Sequence, residues 1–101
     1  MLNRLRVEPR ESNNDEIVLL AEEGEIRVTA KIPCSLIDRL SAIPLTTFRE
    51  RLDLISRNLA ALGAVIQSKF SAGQFRAYHG ADGRDRWIVV ERRDLAGWRL
   101  R

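Results

Sequence analysis

The stretch "LTTFRERLDLISRNLAALGAVIQSKFSAG", residues 45–73, decides the fold. Phe48, Leu52, Ile55, Leu59, Leu62, Ile66 and Phe70 follow one another at intervals of four, three, four, three, four and four. Such spacing places them on one face of an amphipathic helix of about 24 residues. Thr47 and Glu50 match a capping box, in which each side chain satisfies an amide that the first turn would leave bare. Arg49, Asp53 and Arg57 fall at i, i+4 spacing on the opposite, wet side. Gly73 ends the run, because glycine readily adopts the left-handed residue that closes a helix. Gly63 lies inside it and costs about 1 kcal/mol relative to alanine. It therefore marks a kink or the close approach of another backbone.

Working outward to the N-terminal side, "EIVLLAEEGEIRVTAKIP", residues 16–33, reads as a β-hairpin with Gly24 in its turn. From Ile26 onward Ile26, Val28, Ala30 and Ile32 alternate with Arg27, Thr29 and Lys31. A period of two gives one buried and one wet face. Pro33 stops the strand and fits the start of a short helix, "CSLIDRLSAI", with Leu36, Ile37 and Leu40 as its stripe. Pro44 ends that helix. Residues 1 to about 14 carry turn chemistry and little apolar content, so a flexible arm is expected there, followed by one domain over 15–101.

On the C-terminal side, "FRAYHGADGRDRWIVVERRDL", residues 75–95, reads as a second hairpin with a polar tip. Its strands are expected at Gln74–Tyr78 and Arg86–Glu91, with Trp87 and Val89 on one side and Ile88 and Val90 on the other. Leu95, Trp98 and Leu100 offer apolar contacts at the end of the chain. The expected fold is α+β, in the order β-β-α-α-β-β, with a four-stranded antiparallel sheet under one long helix. A helix of that length spans about 36 Å, whereas four strands span only about 20 Å. The surplus stripe needs cover, so Leu52, Ile55, Leu59, Leu62 and Ile66 are expected to form the core or the seam of a homodimer.

Composition narrows the chemistry. The 101 residues carry one cysteine and one histidine. A lone thiol makes no internal disulfide, which fits a reducing, cytoplasmic setting. With His79 added, Cys34 still falls short of a zinc site. Cys34 reads as a packing residue in preference to a nucleophile. There is no glycine-rich phosphate loop ahead of a helix, no H-E-x-x-H and no G-x-S-x-G. His79 beside Asp82 or Asp85 is a thin basis for acid–base catalysis, so no enzyme activity, cofactor or metal is expected. No apolar run approaches the length of a membrane span.

Charge is uneven. Fifteen arginines and two lysines face 14 acids, for a net charge of +3. Seven of the acids lie between residues 8 and 26. Such asymmetry steers partners, a second copy of the chain included. Arg76, Arg84, Arg86, Arg92 and Arg93 lie near Phe75, Tyr78 and Trp87, a composition that can grip phosphate and stack bases. Four acids interleave with the C-terminal arginines, so nucleic-acid association ranks second to protein contact.

The segments "VTAKIP", "CSLIDRL", "TFRERLDLISRNLAA" and "WIVVERRDL" together resemble a small bacterial α+β domain family whose members have no assigned function. The resemblance covers about residues 16–95 and departs from the family over "GAVIQSKFSAGQFRAYHGADGRD". It implies an α+β fold in a bacterial cytosol and brings no catalytic residues. The reading is a small non-enzymatic interaction or regulatory module that self-associates.

Overall fold

The hairpin at residues 16–33 frames the molecule. The computed structural model describes residues 1–78 and 83–101, with the backbone alone for Ala77 and Tyr78. His79 and Asp82 lie outside the described residues. Among the described residues the strands are β1 (Asn3–Val7), β2 (Glu16–Glu23), β3 (Ile26–Pro33), β4 (Arg76–Tyr78) and β5 (Asp85–Val89). The helices are α1 (Cys34–Leu40), α2 (Phe48–Arg57) and α3 (Leu59–Ser71), and a 3₁₀ turn spans Arg92–Leu95. The class is α+β, as expected.

Alternation sets the register of the hairpin. Ile17 faces Ile32, Leu19 faces Ala30 and Ala21 faces Val28. All six side chains are buried. Gly24 turns the chain with φ of +59°, a conformation that costs glycine little.

Three expectations are corrected. The first concerns the sheet, which has five strands in the order β1-β2-β3-β5-β4 among the described residues. It is mixed: β3 and β5 run parallel, with Ala30 opposite Ile88. Parallel neighbours need a long crossover, and the three helices between β3 and β4 supply it. The C-terminal hairpin thereby inserts β5 beside β3 and leaves the three-residue β4 at the edge. Central placement suits β5, since Ile88 and Val90 are 1% and 0% exposed.

The second is the N-terminal arm. Residues 3–7 form the edge strand β1, paired antiparallel with β2. Leu2, Leu5 and Val7 pack against the core. Spacing alone hid them, because a bulge breaks the ladder between Asn3 and Arg6, and Arg4 takes φ of +58°. Bulges and charged residues are common devices for blunting an exposed sheet edge.

The third is the long helix, which is broken at Asn58. The Asn58 amide leaves the carbonyl of Leu54 and donates to Ile55 O at 3.1 Å. Its side-chain Nδ2 donates to Leu54 O at 2.8 Å, replacing the bond the backbone gave up. The same nitrogen donates to Arg101 O at 3.2 Å. Asparagine readily competes with the backbone in this way. The capping box at the start of α2 forms as expected, with Thr47 Oγ1 accepting from Glu50 N at 3.1 Å and Thr47 N donating to Glu50 Oε1 at 2.9 Å.

The apolar stripe is spent inside one chain. Ile55, Leu62 and Ile66 are 0% exposed, and Leu52 and Leu59 are half-buried against the same core. Leu54, off the expected stripe, is equally buried, because α2 packs on both β1 and α1. The end of the chain closes the core: Leu95 and Leu100 are buried, and Leu100 N donates to Leu40 O at 2.9 Å.

Gly63 marks a close approach, but of the Leu5 side chain of β1 and not of a backbone. A Cβ at this position would lie 2.6 Å from Leu5 Cδ2. Gly63→Ala should therefore destabilise the protein by about 1–2 kcal/mol, overpacking outweighing the gain in helix propensity. In a Leu5→Ala background the same change should become neutral or stabilising. Urea unfolding of the four variants measures the coupling. An equal effect in both backgrounds would remove the packing explanation.

Candidate functional site

All three helices follow one another between β3 and β4. They cover the side of the sheet that carries Ile17, Leu19, Ala30, Ile32 and Ile88. By the period of two, the intervening residues face the other way. The strand register arranges these into rows across the sheet. Leu20, Thr29, Trp87 and Arg76 are successive neighbours in one row, and Val18, Lys31 and Val89 in the next. A third row is ionic and runs Glu22, Arg27, Asp85.

This face carries two exposed apolar side chains. Trp87 is 37% exposed and Val89 50% exposed on an interior strand. Their partners hold them in place. Lys31 Nζ sits 4.3 Å from the centroid of the Trp87 ring and 3.4 Å from Glu16 Oε2. A cation over an indole face contributes about 0.5–1 kcal/mol at an exposed site. Arg27 grips Asp85 through Nε and Nη2 at 3.1 and 3.3 Å. Arg6 grips Glu22 through Nη1 and Nη2 at 3.1 and 2.8 Å, and this hydrogen bonding holds the Glu22 carboxyl below the usual carboxylate range.

Val89 lies between two hollows. One, of about 310 Å³, is lined by Pro33, Ser35, Leu36, Val90 and Glu91, with Arg39 and Arg92. The other, of about 510 Å³, holds Lys31, Phe75, Arg76, Trp87, Glu91 and Arg93. Behind the second hollow lies a buried ion pair. Lys69 Nζ meets Asp94 Oδ2 at 2.7 Å, and their side chains are 7% and 13% exposed. Asp94 also accepts from the Glu91 amide at 2.8 Å and so caps the 3₁₀ turn. Burial pushes its carboxyl up. The hydrogen bonds from Lys69 and the Glu91 amide, with the nearby charges of Lys69 and Arg93, outweigh burial and leave it below the usual range.

The five arginines expected to act together are divided. Arg76 and Arg93 share the larger hollow, and Arg92 lines the smaller one. Arg84 lies 3.5 Å from Glu25. Arg86 is half-buried, donates to the carbonyls of Gly83 and Asp85, and lies over the Phe75 ring at 5.6 Å. Lys31, Arg39, Trp87 and Val89 complete the surface. Alternation in "WIVV" placed Trp87 and Val89 together, but only the parallel pairing with β3 brings Lys31 beside them.

Cys34 is 3% exposed, and burial raises its thiol pKa above the ordinary value. Its Sγ contacts Asn13 O at 3.6 Å. A buried thiol held protonated is a packing group, not a nucleophile. The His79–Asp82 pairing considered from sequence lies outside the described residues, and Asp85 is engaged by Arg27. Among the described residues no three His, Cys, Asp or Glu side chains gather as a metal site, and no helix is long and apolar enough to cross a membrane.

The buried pair gives a pH-dependent test. A carboxyl whose folded pKa is depressed contributes stability above its unfolded pKa, about 4, and loses it as pH falls through the folded value. Asp94→Asn should cost about 3 kcal/mol at pH 7, since it leaves Lys69 buried without its counter-charge. The loss of stability between about pH 5 and pH 2 should then be shallower than in the parent. Thermal unfolding across pH measures both. Parallel pH profiles would show that Asp94 contributes nothing to acid stability. Comparison with family models, curated proteins and solved structures finds no match, so the surface is read from its own geometry.

Proposed function

We propose that this chain is a non-catalytic contact module that binds protein through the helix-free side of its sheet. The supporting observation is the exposed Trp87–Val89 pair on an interior strand, ringed by arginine and lysine. An aromatic anchor beside aliphatic surface, inside a polar rim, is the usual composition of an interaction hot spot. The helix stripe no longer calls for a second subunit, because its residues lie in or against the core of one chain. A homodimer would therefore form through the sheet. Nucleic-acid association has less behind it, since no single hollow gathers more than two of the five arginines, and Arg84 and Arg86 line none of those described.

Site-specific crosslinking in the source cell tests this reading. With p-benzoylphenylalanine in place of Trp87, adducts to protein are expected. The same group in place of Arg57, exposed on α2, should give few or none. An adduct of twice the chain mass identifies a second copy as the partner. Equal adducts at both positions, none at either, or adducts to nucleic acid at position 87 would overturn the proposal.

A further inference from the structure

The two hollows beside Val89 define a chemistry for what covers them. Lys31, Arg39, Lys69, Arg76, Arg92 and Arg93 line one or the other, and Glu91 is the single carboxylate in either lining. Half of these cations are neutralised at short range. Lys31 meets Glu16, Lys69 meets Asp94, and Arg93 meets Glu91 at 3.3 Å. Arg39, Arg76 and Arg92 make no ion pair among the described residues. All three are exposed.

The floor between them is apolar. Val89 is half exposed and Pro33 half-buried, and the buried Leu36 and Val90 lie at the base of the smaller hollow. Unpaired guanidinium groups around an aliphatic floor match a ligand that carries carboxylates and an aliphatic side chain together. Arginine forks pair with carboxylates in two-point geometry. A nucleic acid fits less well. The smaller hollow has no ring on which a base could stack, and Lys31 already occupies one face of Trp87.

We infer that the surface around Val89 binds an extended acidic segment of a partner protein. An aliphatic side chain of that segment seats on Val89, Pro33 and Leu36, and its carboxylates meet Arg39, Arg92 and Arg76. This rests on the contact-module reading, extends its surface past the sheet onto α1, which carries Leu36 and Arg39, and adds the partner's chemistry.

Fluorescence anisotropy with three labelled probes tests the inference: a glutamate–leucine copolymer, polyglutamate, and oligothymidylate. The copolymer should bind at low salt and weaken as salt rises. Polyglutamate should bind about tenfold more weakly for want of apolar contact, and oligothymidylate more weakly still. The double variant Arg39→Glu/Arg92→Glu should lose about tenfold or more in copolymer affinity. Val89→Asp should lose a similar amount, and Arg57→Glu on the helical side should lose nothing. Far-UV circular dichroism checks that each variant is folded. Three probes bound alike, tightest binding to oligothymidylate, no binding at all, or charge reversals without effect would each overturn the inference. If position 87 still crosslinks to protein when the copolymer does not bind, the acidic chemistry fails and the contact module stands.

Discussion

The structure depends on one constraint: the apolar layer shared by β2, β3 and β5 is covered by helices on one side only. Ile17, Ile32, Leu19, Ala30 and Ile88 lie beneath the helices, each 1% exposed or less. Burying one large aliphatic side chain stabilises the fold by about 1.5–3 kcal/mol. A slip of one residue in β5 would exchange Ile88 for Trp87 or Val89 and place charged neighbours in the core. Such a cost fixes the register. The same register then determines the outer surface, because whatever the core does not take must face outward. Trp87 and Val89 are thus exposed as a consequence of where Ile88 is buried.

Much of this was legible in the sequence wherever periodicity is strong. The hairpin at residues 16–33, the start of α1 after Pro33, and the capping box at Thr47 and Glu50 follow from patterns within a few residues of one another. What failed depends on contacts distant in sequence. The parallel pairing of β3 with β5 leaves no local trace, since each strand alternates in the same way whichever direction its neighbour runs. β1 escaped notice because its bulge breaks alternation within five residues. The surface was half legible: alternation gave its faces, but the grouping of Lys31, Trp87 and Arg76 needs the strand order.

Asn58 shows why a continuous stripe does not imply a continuous helix. Spacing by three and four persists across it, so periodicity registers nothing. The break is set by a side chain that satisfies Leu54 O while also reaching Arg101 O. One amide thereby ends α2 and ties down the end of the chain. With Leu100 bonded to Leu40, the C-terminal segment is held to both α1 and the α2–α3 junction. The 3₁₀ turn before it is pinned by the buried Lys69–Asp94 pair. Arg92 and Arg93, on that turn, are consequently presented from a fixed backbone and not from a loose tail.

Charge asymmetry along the sequence takes a different form in the fold. Four of the seven acids in the N-terminal portion are paired, and Glu8, Glu11 and Asp15 make no ion pair among the described residues. Glu16, Glu22, Glu23 and Glu25 meet Lys31, Arg6, the N-terminal amine and Arg84 respectively. Exposed pairs of this kind contribute about 0–1 kcal/mol each, so they matter less for stability than for where they leave charge uncancelled. Pairing consumes much of the acid of β2 and its turn on cations nearby. Arg39, Arg76 and Arg92 retain no such partner among the described residues, and each lines a hollow that adjoins Val89 or α1. Three of the chain's uncompensated cations therefore lie where the sheet also exposes apolar residues; Arg4, Arg10, Arg57, Arg99 and Arg101 make no ion pair among the described residues and lie elsewhere. Desolvating a guanidinium is worthwhile only when an anion with matching acceptors replaces the water it loses. That requirement is what the proposed acidic partner would meet, and the aliphatic floor is what would distinguish it from a simple polyanion.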